Sequence, residues 1–285
     1  QLPAEFLERD LVQSYERDVQ TPVGQVGDAQ RFRDLPLTAS DWGEIGLLQT
    51  PTARMAAAGD LRTQISGVYP YIRGTVMLQP MDWLEVGFRY TDIADKLYGP
   101  SIAGTQSYKD KSIDLKLRLR EETALGPQLA VGLRDIGGTG LFSGEYLVGS
   151  KRFGNWDVSA GLGWGYLGAR GSINAPLAFL GDGFRTRLGN DNSNGGTANF
   201  QSMFRGNAAL LGGVQWHSPH KDWIVKAELD GNDYRNDPSG SPIAASSPVN
   251  WGVVYRYSRN VDLSAGWERG NRAMVGLTVH AAMDK

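Results

Sequence analysis

From Asp41 to the end of the chain the sequence alternates apolar and polar residues with a period of two, and that pattern restricts the fold most. Ile113, Leu115, Leu117 and Leu119 interleave with Asp114, Lys116, Arg118 and Arg120. Trp156, Val158, Ala160, Leu162, Trp164 and Tyr166 interleave with Asp157, Ser159 and three glycines. Trp223, Val225, Ala227 and Leu229 do the same, with Ile224 out of phase; so do Trp251, Val253, Tyr255 and Tyr257, with Val254 out of phase. Val261 to Trp267 and Ala273 to Val279 repeat the pattern. Successive side chains of a strand point to opposite faces, so each stretch has one apolar and one polar face. The region is all-β.

Turn signals lie between these stretches at Gln79-Pro80-Met81-Asp82, Gly126-Pro127, Gly137-Gly138, Gly154-Asn155, Pro219-His220, Ser258-Arg259-Asn260 and Gly270-Asn271. Strands joined so closely are antiparallel neighbours in a meander. Three connections read as long, at about 92–111, 169–204 and 231–249, and the middle one holds the polar run 190–196. They follow alternate strands and therefore lie at one end. The expected architecture is an antiparallel up-and-down transmembrane β-barrel of roughly 12 strands (12–14). Tyr69-Pro70 leaves two readings: a tight hairpin adds a strand and breaks the parity, whereas a bend in one long strand keeps it.

A soluble sandwich also alternates, and the aromatic residues discriminate. Trp83, Tyr90, Trp156, Tyr166, Trp223, Trp251, Tyr257 and Trp267 fall on the apolar face near strand ends. Amphipathic rings at both edges of an apolar band form the girdles of a lipid-facing barrel. The 37 glycines and the mean hydropathy of −0.34 fit a polar inner face. Residues 1–40 differ: Phe6, Leu7, Leu11 and Tyr15 recur at helical spacing, followed by a polar connector. The expected division is a partly helical periplasmic segment at 1–40 and an outer-membrane barrel at 41–285. No basic stretch followed by an apolar core marks a secretory leader, and Gln1 suits a leader already removed.

Composition excludes several chemistries. With no cysteine there is no disulfide, thiolate ligand or Cys nucleophile, and a net charge of −2 offers no footprint for nucleic acid. His217 and His220 flank a turn and read as solvated rather than as a metal pair. Gly137-Gly138-Thr139-Gly140 opens no helix and reads as a hairpin. The oxygen-rich run Asp230, Asn232, Asp233, Asn236 and Asp237 departs from the EF-hand spacing. No cofactor is expected.

The charges on the inner face are the candidate site: Glu85, Arg89, Asp114, Lys116, Arg118, Arg120, Arg134, Lys226, Glu228, Asp230, Arg256, Asp262 and Glu268. Two readings stand together. They cross-link the lumen and close it, or they form a polar path for a hydrated polysaccharide, with Lys116, Arg118 and Arg120 as a cationic ladder. Paired acids for glycoside hydrolysis would come from Glu85, Glu228 and Glu268.

Several ordered blocks carry a family likeness. Gly43-Glu44-Ile45-Gly46-Leu47-Leu48-Gln49-Thr50-Pro51-Thr52-Ala53-Arg54-Met55, Leu78 to Tyr90, Gln106 to Asp114, Arg134 to Phe142 and Leu229 to Tyr234 resemble the YjbH family of exopolysaccharide-biosynthesis proteins, over Trp42 to Ala281. The resemblance implies a bacterial outer-membrane barrel that serves secretion of an exopolysaccharide or capsule. It also implies that the chain corresponds to the first of two barrel-like regions, in a family many of whose members are lipoproteins. The function expected is a non-enzymatic one in polysaccharide export, with polysaccharide, outer-membrane lipid and other secretion proteins as partners. The alternatives are an outer-membrane or periplasmic glycan-modifying enzyme and a soluble carbohydrate-binding β-sandwich.

Overall fold

The computed structural model describes residues 36–99, 101–188, 200–220, 222–240 and 242–283. The helix expected near the N-terminus and the polar run 190–196 lie outside the described residues.

Twelve strands form the wall: β1 (Asp60–Val68), β2 (Tyr71–Met81), β3 (Leu84–Gly99), β4 (Gly104–Arg120), β5 (Gln128–Arg134), β6 (Gly144–Phe153), β7 (Trp156–Gly163), β8 (Ala209–His217), β9 (Trp223–Leu229), β10 (Val249–Ser258), β11 (Val261–Glu268) and β12 (Arg272–Ala282). Each pairs antiparallel with its sequence neighbours, and β1 pairs with β12 from Asp60↔Ala282 to Val68↔Met274, closing the barrel. A soluble two-sheet sandwich is thereby excluded as the fold.

The turn at Tyr69-Pro70 is a hairpin between β1 and β2, and yet the strand count is even. The even count holds because the strand that this hairpin adds is offset elsewhere. Residues 41–59, which the sequence pattern assigned to the barrel, contribute no wall strand. An even count puts the start of β1 and the end of β12 at the same end, with the short connections 82–83, 121–127, 154–155, 218–222 and 259–260. We call this the turn end. The connections 135–143, 164–208 and 230–248 lie at the other, the loop end.

The connection expected at 92–111 is mostly strand: β3 runs on to Gly99 and β4 starts at Gly104. Cross-strand contacts hold this hairpin together, with Lys109 paired to Asp92 and the rings of Tyr98 and Tyr108 stacked at 4.8 Å.

The outer face is apolar, with Ile65, Ile72, Phe88, Val158, Leu210 and Val275 all exposed. Trp83, Trp156, Trp223 and Tyr257 edge this band at the turn end, while Tyr90, Trp251 and Trp267 edge it toward the loop end. Trp156 lies 6.3 Å from Trp216 and Trp223 4.6 Å from Tyr255. Tyr166 is the exception among the expected girdle residues. β7 stops at Gly163 and a 3₁₀ turn over Gly165–Gly168 folds the chain inward, so Tyr166 packs on Trp42 and Trp164 is buried.

Candidate functional site

The inner face of the wall does not bound an open channel. Residues 37–55 run from the turn end into the lumen and back, and every residue from 38 to 55 is buried. The segment is a compact loop of its own. The amide of Asp41 donates to the Leu48 carbonyl at 2.8 Å, that of Ser40 to the Glu44 carbonyl at 2.8 Å, and that of Leu47 to the Thr50 carbonyl at 2.8 Å. Gly43, at φ +91°, makes the turn at a conformation that suits glycine, and a Cβ there would lie 2.3 Å from Thr75 Oγ1.

Trp42 sits at the inner tip, toward the loop end. Its indole N–H donates to Gln49 Oε1 at 2.7 Å, and its ring meets Phe142 and Tyr166 edge-on. Three guanidinium carbons surround the ring: Arg73 at 4.3 Å, Arg89 at 4.4 Å and Arg134 at 4.6 Å. Cations over an aromatic face are attracted by its quadrupole, more strongly once desolvated. Carboxylates of the segment complete the arrangement. Asp41 pairs with Arg73, and Glu44 accepts from Arg134 Nε at 2.7 Å and from the Tyr146 hydroxyl at 2.5 Å.

The opposite wall grips backbone. Lys226 Nζ donates to the carbonyls of Ala39, Gly46 and Leu47 at 2.9, 2.8 and 2.9 Å, which uses all three of an ammonium's protons. Glu228 accepts the amides of Leu48, Gln49 and Thr50 at 2.9, 2.8 and 3.0 Å, the concave amide nest that suits an anion. Glu268 accepts from Gln49 Nε2 at 2.7 Å. On the other side Lys116 Nζ reaches the Ile45 carbonyl at 2.8 Å. At the turn end Arg54 forks onto Asp157 at 2.8 and 2.8 Å, and Arg256 Nη2 reaches the Leu37 carbonyl at 3.1 Å.

Most of the inner-face residues expected from sequence are therefore brought together, around the chain's own segment. Arg89 pairs with Asp114 at 2.6 Å, Glu85 with Arg62 and Lys116, and Arg256 with Asp262 at 2.8 Å. Asp230 accepts from the Tyr234 hydroxyl and from the Asn232 amide at 2.9 Å, in the connection that folds over the loop end. Arg118 and Arg120 stand apart. They lie at the turn-end rim, where β4 ends and its pairing with β5 shifts register after Arg118; there Arg118 pairs with the exposed Glu121 and Arg120 is exposed. The cationic ladder accordingly ends at Lys116. Sequence reasoning missed Asp41, Trp42, Glu44, Gln49 and Arg54, and on the wall Arg62 and Arg73. The signal was the loss of alternation between Asp41 and Gly59, a buried stretch without period two.

Loops close the loop end. Asp237 accepts the hydroxyls of Tyr71 and Tyr166, the latter at 3.0 Å, and Arg269 lies 4.7 Å over the ring of Tyr234. Lys96 Nζ holds the Pro238 carbonyl at 3.0 Å. Asp135, just past β5 with φ 54°, is pushed up to about 7, first by burial and then by the neighbouring Asp110 carboxylate.

The sequence family described as exopolysaccharide biosynthesis protein YbjH matches residues 38–285, from the start of the lumen segment through the last strand. The chain belongs to this YjbH family. The uncharacterized lipoprotein YjbH of Escherichia coli strain K12 is 45% identical over 246 residues, covering 84% of this chain and 34% of that protein. The chain thus spans about a third of the length of this relative. Among solved structures, the KdgM porin in complex with disordered oligogalacturonate aligns with 79% of this chain and 99% of its own, at 8% identity and a TM-score of 0.41. The NanC porin aligns over the same shares at 10% identity and a TM-score of 0.37.

Proposed function

We propose that this YjbH-family chain is a bacterial outer-membrane barrel that assists export or surface assembly of an exopolysaccharide or capsule, without catalysing a reaction. The observation that carries the proposal is the pairing of an apolar, ring-edged outer band with a lumen packed by the chain's own residues 38–55. A soluble monomer rarely exposes a contiguous apolar patch larger than about a few hundred Å², and here exposed apolar side chains recur on the outer face of strands all round the barrel. The turn end then faces the periplasm and the loop end the outside, as in barrels whose longer connections are extracellular. Polysaccharide, outer-membrane lipid and other secretion proteins are its partners in this reading.

The glycan-modifying alternative needs two acids free to reach a substrate. Glu85 is paired with Arg62 and Lys116, Glu228 is closed by three backbone amides, and Glu268 holds Gln49. Their engagement favours a non-catalytic role. The test combines membrane behaviour with turnover. The chain is expected to require detergent for extraction, to show a heat-modifiable band on a gel, and to be electrically silent in a planar bilayer. Recovery from the soluble periplasmic fraction would sink the outer-membrane assignment. A shortened polysaccharide product that Glu85→Gln, Glu228→Gln or Glu268→Gln abolishes would establish catalysis instead.

A further inference from the structure

We infer that the cleft holding Asp41, Trp42 and Glu44 is a binding site for a carboxylate-bearing glycan, occupied at rest by the chain's own segment. The inference rests on the export reading and names the chemistry of what passes. The segment enters and leaves the lumen at the same end, so it can withdraw as a loop without threading a terminus. Its link to β1 is Ala56-Ala57-Ala58-Gly59, without a bulky side chain and tied to the wall at its last two residues, where the Ala58 amide donates to Asp82 at 3.0 Å and the Gly59 amide to the Gln79 carbonyl at 2.8 Å.

What withdrawal would leave is uneven. Arg62 keeps Glu85, Arg89 keeps Asp114, and Arg256 keeps Asp262, because those partners belong to the wall. Arg73 and Arg134 lose their carboxylates, since Asp41 and Glu44 belong to the segment. With Arg89 they come from β2, β3 and β5, and Lys116 lies on β4 between the last two. A second observation points to a ligand. Arg73 Nε, Arg89 Nε and Nη2, and Arg134 Nη1 find no hydrogen-bond acceptor among the described residues, although all three side chains are at most 2% exposed. The cleft therefore offers more donors than the segment uses.

The shape fits an acidic sugar. Three guanidinium groups stand 4.3–4.6 Å from the centre of one flat ring, and two of them are paired with carboxylates of the same segment, Arg73 with Asp41 and Arg134 with Glu44. A uronate residue presents the same elements: a ring, a carboxylate, and hydroxyls able to accept the spare N–H groups. Guanidinium forks match carboxylates with two parallel bonds. A neutral glycan offers Arg73 and Arg134 hydroxyls but no charge in place of the carboxylates they lose.

The test uses the full chain with residues 40–50 replaced by a Gly-Ser linker, refolded into a planar bilayer. The probes are an alginate oligomer and a neutral cello-oligomer of equal length. The opened chain is expected to conduct, with half-block by alginate at a concentration about tenfold below that of the neutral oligomer. Adding Arg73→Gln and Arg134→Gln should erase that ratio. Equal block by both oligomers, or selectivity that survives the double substitution, overturns the site. Where the linker variant fails to fold, the full chain with Asp41→Asn and Glu44→Gln takes its place. Protease cleavage within residues 38–55 must then rise with alginate and not with the cello-oligomer; no difference overturns the proposal. A chain that never enters a membrane sinks the export reading, whereas one that inserts without discriminating sinks only this site.

Discussion

At the scale of single residues, this lumen departs from the rule that buried charges are rare. Lys226 and Glu228 are two residues apart on one strand, both inside, and each is met by three backbone groups of opposite polarity. Burying an ion costs several kcal/mol unless its hydrogen bonds are complete, and here they are. Asp135 is less well provided. One carboxylate oxygen accepts the Phe142 amide at 3.0 Å, while Asp110 and Asp114 lie close by. Its carboxyl is held up at about 7 against an ordinary 3.8, so the folded state keeps a proton that the unfolded chain releases. Stability from this group is complete below about pH 4 and falls as pH rises toward 7, on the order of 1 kcal/mol per pH unit. Asp135→Asn, which tolerates the left-handed backbone, should flatten that slope. Melting followed by tryptophan fluorescence in detergent from pH 4 to 8 checks it; an unchanged slope rejects the assignment.

At the scale of elements, glycines on the wall make room for the segment. A Cβ at Gly266 would stand 2.6 Å from Leu48 Cδ2, one at Gly252 3.0 Å from the same atom, and one at Gly213 2.7 Å from Leu47 Cδ1. Leu47 and Leu48 are thus keyed into hollows on β8, β10 and β11. Gly266→Ala should cost about 1–3 kcal/mol by overpacking, and Leu48→Ala in the same chain should recover part of it. Thermal unfolding of the two single variants and the double closes the cycle, and additive losses would mean that the two positions do not meet.

The same elements show what the sequence made legible. Alternation identified the walls β4, β7 and β9 to β12, because a strand with an apolar outer face and a polar inner face must repeat every two residues. It placed Glu85, Arg89, Lys116, Lys226, Glu228 and Glu268 inside. It was silent on what they touch, because Thr38 to Met55 is held against the wall by contacts to residues 25 to 219 positions away and has no periodicity of its own. Arg118 and Arg120 were misread for a related reason: pattern gives the face of a strand, but not how far along it the lumen extends.

At the scale of the molecule, the outer face decides the medium in which the barrel lives. Leu277 faces outward near the middle of β12, opposite Ile65 and Leu263 on its neighbours. Leu277→Arg should destabilise the chain in lipid vesicles by about 2–4 kcal/mol, the cost of a charge near the bilayer midplane. On a water-facing surface the same change would be close to neutral. Urea titration of the vesicle-bound chain and its variant separates the two.

The position of the lumen segment ahead of β1 has a consequence for assembly. Residues 39–50 bond to Lys226, Glu228 and Glu268, on strands near the far end of the sequence. The first part of the barrel to be synthesised is therefore the part around which the last part must wrap. The segment acts as a mandrel: it offers amides and carbonyls at fixed spacing, and a strand out of register by one residue would turn Lys226 and Glu228 away from it. A register slip in β9 is thereby expected to cost the wall both of that strand's grips on the segment at once.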